Sequence, residues 1–130
     1  MTTSRTASKI VQRAFPGISS TEVSTLVANS QLREYPAGVV LCHENALEET
    51  FYLILEGEVE VSKLVNEREE RVITKFGPGE YFGEMGLVQK APRAATVKAI
   101  TPLRVLEMDK DAFYQILIGL TQDTFERLVI

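Results

Sequence analysis

Glu84 and Arg93 stand nine residues apart in the segment Phe82-Gly83-Glu84-Met85-Gly86-Leu87-Val88-Gln89-Lys90-Ala91-Pro92-Arg93-Ala94-Ala95-Thr96-Val97. A guanidinium is planar and can hold two oxygens of an anion at once, so Arg93 is a candidate anion ligand. The stretch from Glu84 to Gln89 has the length of one or two helical turns, and the unpaired N–H groups at a helix start form an anion site. Gly83 and Gly86 let the backbone approach a ligand without a Cβ in the way. Pro92 restricts the turn, while Ala94 and Ala95 leave space beside the guanidinium. Glu84 would repel an anion if aimed at it, so a binding role requires a neutral hydroxyl as its partner. Taken singly, Glu84 reads as a helix-capping carboxylate and Arg93 as a surface cation. Framed by glycines, a proline and two alanines, the pair reads better as one ligand site.

Little else in the chain could do chemistry. His43 is the only histidine, and beside Glu44 it reads as a loop residue. A β-barrel metalloenzyme of the cupin type needs several histidine ligands, so one histidine argues strongly against a metal site. Every nucleophile–base scheme would have to use the same histidine, so the chain is expected not to be an enzyme. Cys42 is the only cysteine. It sits in an apolar stretch where a buried thiol is the expected state, and no intrachain disulfide is available.

The elements that must position Glu84 and Arg93 follow from periodicity. Ser19-Ser20-Thr21-Glu22 has the form of a capping box, and Val23, Leu26 and Val27 share a face, so a helix is expected over Thr21–Asn29. From Gln31 to Asp109 short β-rich segments alternate with turn signals. Strands are expected at Gln31–Tyr35, Val39–Cys42, Thr50–Glu56, Glu58–Lys63, Arg71–Phe76, Ala95–Ile100 and Leu103–Met108. Thr50–Glu56 is apolar on both faces and should be central; residues 65–70 should form an exposed charged hairpin loop. Asp109 can cap a helix whose Phe113, Ile116, Leu117 and Leu120 share a face, and Thr121 can cap another. Residues 1–18 are weakly patterned and are set apart as an N-terminal segment, with one domain over 19–130.

Composition sets the outer limits. The 130 residues, 45% of them hydrophobic, suit one domain with one core. Eighteen acidic against fourteen basic residues give a net charge of −4, which disfavours non-specific nucleic-acid binding. Apolar runs are far short of the roughly 18 residues of a membrane span, and the N-terminus lacks a secretory hydrophobic segment. A cytoplasmic protein is expected.

An anion, a hydroxyl and small residues beside them describe a cyclic ribonucleotide better than a free phosphate. Here the sequence resembles the cyclic-nucleotide-binding domains of kinase regulatory subunits, gated channels and the catabolite activator protein. Their phosphate-binding cassette reads Phe-Gly-Glu, a few small or apolar residues, then Pro-Arg-Ala-Ala-Thr-Val, and Phe82–Val97 follows it almost throughout. Looser similarity runs from residue 15 to 125, through Tyr35–Gly38, Phe51–Val59 and Phe76–Glu80.

The resemblance implies a mainly β fold of α+β content. Its parts would be an antiparallel β-roll, jelly-roll-like, with flanking helices and a short phosphate-binding helix. It also implies that Glu84 holds a ribose 2′-OH, that Arg93 holds the cyclic phosphate, and that main-chain N–H groups near Met85, Gly86 and Ala94 complete the shell, with Gly83 and Ala95 beside them. Gly86 departs from the family's usual alanine, and Ala94 stands where cGMP-selective relatives commonly carry threonine, which favours cAMP while leaving cGMP open. Glu60 resembles a strand acid that orients the arginine in kinase regulatory subunits, and Phe125 or Leu128 would lie where a residue covers the base, in a terminal helix that the chain cuts short. The implied function is allosteric sensing of the nucleotide, read out by C-terminal helices and an effector domain in a longer parent, with a homodimer as one assembly. No cofactor is implied. The alternatives are a ligand-free docking or dimerisation domain, which intact Glu84 and Arg93 disfavour, and a DNA-binding regulator, whose helix-turn-helix would have to lie beyond residue 130. No ligand-free role for the Arg93 guanidinium is evident, so the fold is expected to tolerate its loss.

Overall fold

A computed structural model describes residues 2–15, 17–83 and 92–110. Two helices, α1 (Thr2–Ala14) and α2 (Ser20–Ala28), precede eight strands. These are β1 (Gln31–Tyr35), β2 (Val40–Cys42), β3 (Phe51–Glu56), β4 (Val59–Val65), β5 (Glu69–Phe76), β6 (Tyr81–Phe82), β7 (Thr96–Ala99) and β8 (Leu103–Met108). They form two four-stranded sheets, ordered β1-β8-β3-β6 and β2-β7-β4-β5, with every pairing antiparallel. The expected antiparallel roll is present, built from two sheets rather than one closed barrel.

β3 organises both cores. Side chains alternate across a strand, so Phe51, Leu53 and Leu55 face the helices while Tyr52 and Ile54 face the opposite sheet. That double burial is why the segment is apolar throughout and why it lies between β8 and β6. The helix-side core adds Ala7, Ile10 and Val11 of α1, Val23 and Leu26 of α2, and Leu106 and Met108 of β8. The inter-sheet core joins Leu41, Cys42, Val59, Phe82, Val97, Ala99, Leu103 and Val105. Fully burying a side chain of this size contributes about 1.5–3 kcal/mol.

The capping box at the start of α2 is complete. Ser19 Oγ accepts from the Glu22 N–H at 3.1 Å, and Glu22 Oε1 accepts from the Ser19 N–H at 2.9 Å. The N-terminal segment differs from its weak pattern, because Thr2–Ala14 is helical. Ala7, Ile10 and Val11 at i, i+3, i+4 form a narrow apolar stripe that stays buried against the core. β6 is an addition of two residues, held by register with Tyr52 and Leu53. The expected loop at 65–70 is a tighter turn, with Val65 opposite Glu69. The cassette helix expected over Glu84 to Gln89 lies outside the described residues, as do the helices expected after Asp109 apart from Lys110.

Candidate functional site

Arg93 is 7% exposed, one of the two buried polar or charged residues among those described. Three groups hold its guanidinium. Nε donates to Glu48 Oε1 at 3.3 Å, Nη1 to the Gly83 carbonyl at 3.0 Å, and Nη2 to the Thr50 carbonyl at 2.7 Å. Its backbone is fixed as well: the Arg93 N–H donates to the Ala46 carbonyl, and the Asn45 N–H donates to the Arg93 carbonyl, both at 2.8 Å. The loop between β2 and β3 therefore grips Arg93 by main chain and side chain together. A guanidinium has five N–H donors, so these three bonds leave two without a partner among the described residues.

Gly83 is what lets the arginine lie there. Its φ is +96°, and a Cβ on it would come within 2.3 Å of the Thr50 carbonyl oxygen and 2.9 Å of Arg93 Nη1. Glycine is required both by the backbone conformation and by the approach of β3 and the guanidinium. Phe82, one residue earlier, anchors this turn by stacking on Tyr52, with ring centroids 4.8 Å apart and planes at 19°.

Glu48 was not singled out by sequence reasoning. Besides Arg93 it meets His43: Oε2 lies 3.2 Å from His43 Nδ1, and Oε1 accepts from the His43 N–H at 3.3 Å. Burial pushes the Glu48 carboxyl up, but the bonds from His43 and Arg93 outweigh it and hold the group below its ordinary value. It is a carboxylate at neutral pH. A signal was available in the acid-rich run Glu44 to Glu49, which has no basic residue of its own. Glu60, expected to orient the arginine, lies on β4 between Val59 and Val61, whose side chains belong to the inter-sheet core. By strand alternation it faces the other way, in register with Lys98 and Lys75. Among the described residues, the acid set against Arg93 is Glu48.

Ala94 and Ala95 follow Arg93 directly and lead into β7, so Arg93, Ala94, Ala95 and Gly83 converge on one corner. Glu84, Met85 and Gly86 lie outside the described residues, as do Phe125 and Leu128. Cys42 is buried beside this corner. Burial pushes its thiol up to about 12, against a lowering influence from Arg93, so it is neutral at physiological pH. His43 is exposed at the rim, and no group of three or more metal-ligating side chains occurs among the described residues. Nor is any helix among them long and apolar enough to cross a membrane.

The expectation that no ligand-free contact needs the guanidinium is corrected by this geometry. Removing it takes a donor from the Gly83 and Thr50 carbonyls and leaves the Glu48 carboxylate with His43 alone.

The profile of the cyclic nucleotide-binding domain matches residues 32–118, and the chain belongs to that family. It is 37% identical over 108 residues, 79% of its length, to a cAMP-dependent protein kinase regulatory subunit of Mycosarcoma maydis, of which it spans 20%. It is 28% identical over 106 residues to a CRP-like cAMP-activated global transcriptional regulator of Mycobacterium tuberculosis, covering 80% of this chain and 47% of that one. Among solved structures, the regulatory domain of Toxoplasma gondii PKA crystallised with cAMP superposes with a TM-score of 0.81 at 31% identity, over 88% of this chain and 44% of that one. The chain thus spans half or less of the length of these relatives.

Proposed function

We propose that this chain is a non-catalytic regulatory domain that binds cAMP in preference to cGMP and passes occupancy to the segment following β8. The observation that carries this reading is the Arg93 socket: a buried guanidinium, 7% exposed, fixed on three sides with two N–H donors to spare. A cyclic phosphodiester is anionic at physiological pH, and burying it is costly unless donors and a countercharge replace its water. Arg93 supplies both. Glu84 would accept from the ribose 2′-OH, and the N–H groups of Met85, Gly86 and Ala94 would complete the phosphate shell. Family membership and the cAMP-related names of the relatives support the choice of ligand.

Signalling would run through Lys110, whose Nζ lies 3.8 Å from Glu49 Oε1. Glu49 sits between Glu48 and Thr50, both bonded to Arg93. A ligand that rearranged the arginine's partners would be felt at the first residues after β8. Phe125 or Leu128 would cover the base. The output would belong to an effector beyond this chain, and a cytoplasmic setting goes with that reading.

Selectivity rests on Ala94, whose methyl cannot accept a hydrogen bond from the 2-amino group of guanine. Calorimetric titration of the unmodified chain should show tighter binding of cAMP than of cGMP. Ala94→Thr should narrow the gap by about 1 kcal/mol, roughly fivefold, for one hydrogen bond gained. Tighter cGMP binding by the unmodified chain would overturn the preference, and binding of neither nucleotide would overturn the function.

A further inference from the structure

The Arg93 socket contains its own anion. Among the described residues the carboxylate in contact with Arg93 belongs to Glu48, and both of its oxygens are occupied, Oε1 by Arg93 Nε and the His43 N–H, Oε2 by His43 Nδ1. The side chains of Arg93 and Glu48 are 6% and 29% exposed, so the pair is largely shielded and the carboxylate is fixed in place. A phosphate arriving at Arg93 meets a cation that already shares its charge with a carboxylate held at its side.

Two consequences of Glu48 oppose each other. It helps to aim the guanidinium, which favours an anion, and it supplies a competing negative charge, which disfavours one. The aiming role is redundant: Gly83 and Thr50 hold Nη1 and Nη2, and the reciprocal bonds with Asn45 and Ala46 hold the backbone. The charge has no such substitute, so its effect prevails.

We propose that Glu48 is the affinity-setting residue of this site, a resident countercharge on Arg93 that keeps cyclic-nucleotide binding weaker than the arginine alone would make it. This rests on Arg93 being the phosphate ligand. His43 belongs to the device because its ring and backbone N–H fix the carboxylate at the guanidinium.

Glu48→Gln tests it. The amide keeps the size and an acceptor for Arg93 Nε but removes the charge. Calorimetric titration should show cAMP bound about three- to tenfold more tightly, the scale expected for one like charge removed at close range in a partly screened site. Glu48→Asp keeps the charge and should stay within about twofold of the unmodified chain. Unchanged or weaker cAMP binding by folded Glu48→Gln would overturn the proposal, as would equal tightening by Glu48→Asp, which would assign the effect to packing. Should Glu48→Gln fail to fold by circular dichroism, Glu48→Ala is expected to tighten binding likewise, and its failure to do so counts against the proposal equally. An unmodified chain that binds no cAMP overturns the function itself, an outcome distinct from a binding chain indifferent to Glu48.

Discussion

Two arginines meet carboxylates near opposite ends of β3, Arg93 by Thr50 and Arg104 by Glu56, and their surroundings give the same ion pair different consequences. Arg104, on β8, reaches Glu34 at 2.7 Å and Glu56 at 3.5 Å, with its side chain 30% exposed and those of its partners 67% and 60%. Arg93 reaches Glu48 at the longer distance of 3.3 Å, yet it is 6% exposed and also bonded to two carbonyls. By distance Arg104 has the better salt bridge. By burial Arg93 is the one whose loss would be felt, because groups at the surface turn to water and groups in the socket cannot. Burial and donor count, rather than the length of the ion pair, set Arg93 apart as the cation to which the proposed function assigns the phosphate.

The comparison can be broken by mutation. Arg93→Ala should lower the free energy of unfolding by about 2–4 kcal/mol, since it strands the Gly83 and Thr50 carbonyls; urea denaturation measures this, and a loss under about 1 kcal/mol would show that water enters the socket freely. Gly83→Ala comes next, at about 2–3 kcal/mol, from a positive φ and a Cβ driven 2.3 Å from the Thr50 oxygen. Its cost should be smaller in an Arg93→Ala background, where the guanidinium no longer blocks relaxation. Arg104→Ala should leave the melting temperature close to that of the unmodified chain. A marked drop would remove the distinction between the two arginines.

The smallest effect concerns pH. Glu48 is held below its ordinary value of 4.5 in the folded chain. Its ionised form therefore contributes stability that is present above that value and is lost as pH falls through the folded one. The stability difference between the unmodified chain and Glu48→Gln should be present at neutral pH and shrink below about pH 4. A difference that stays constant down to pH 3 would mean that the carboxylate gains nothing from Arg93 and His43.

Much of this architecture can be read from local pattern. β1 and β8 match their expected bounds, and α2 lies within a residue of its own at each end, because capping residues and alternation are local signals. α1 was not legible: Ala7, Ile10 and Val11 are too few to outweigh the threonines and serines around them, and the helix is fixed by burial against β3 and α2. β6 has two residues and no periodicity to detect. Arg93 was legible because the cassette carries it, but its acid was not. Glu48 lies 45 residues earlier in the chain, and only the closing of the roll brings it alongside. Glu60 lies on a strand whose alternation is plain in the sequence, and the same alternation turns it away from the core.

The central claim is that a cyclic phosphate binds at the Arg93 guanidinium, and the most direct measurement is a calorimetric cAMP titration of the unmodified chain beside Arg93→Ala and Arg93→Lys. Circular dichroism must first confirm that both variants are folded, since Arg93 also supports the structure. Removing one partner of a buried charge pair costs about 2–5 kcal/mol, so Arg93→Ala should bind cAMP about 30-fold more weakly or worse. Arg93→Lys should recover little, because a point charge on a flexible stem cannot serve the Gly83 and Thr50 carbonyls and two phosphate oxygens together. Affinity equal to that of the unmodified chain in folded Arg93→Ala would contradict the assignment of the phosphate to this socket.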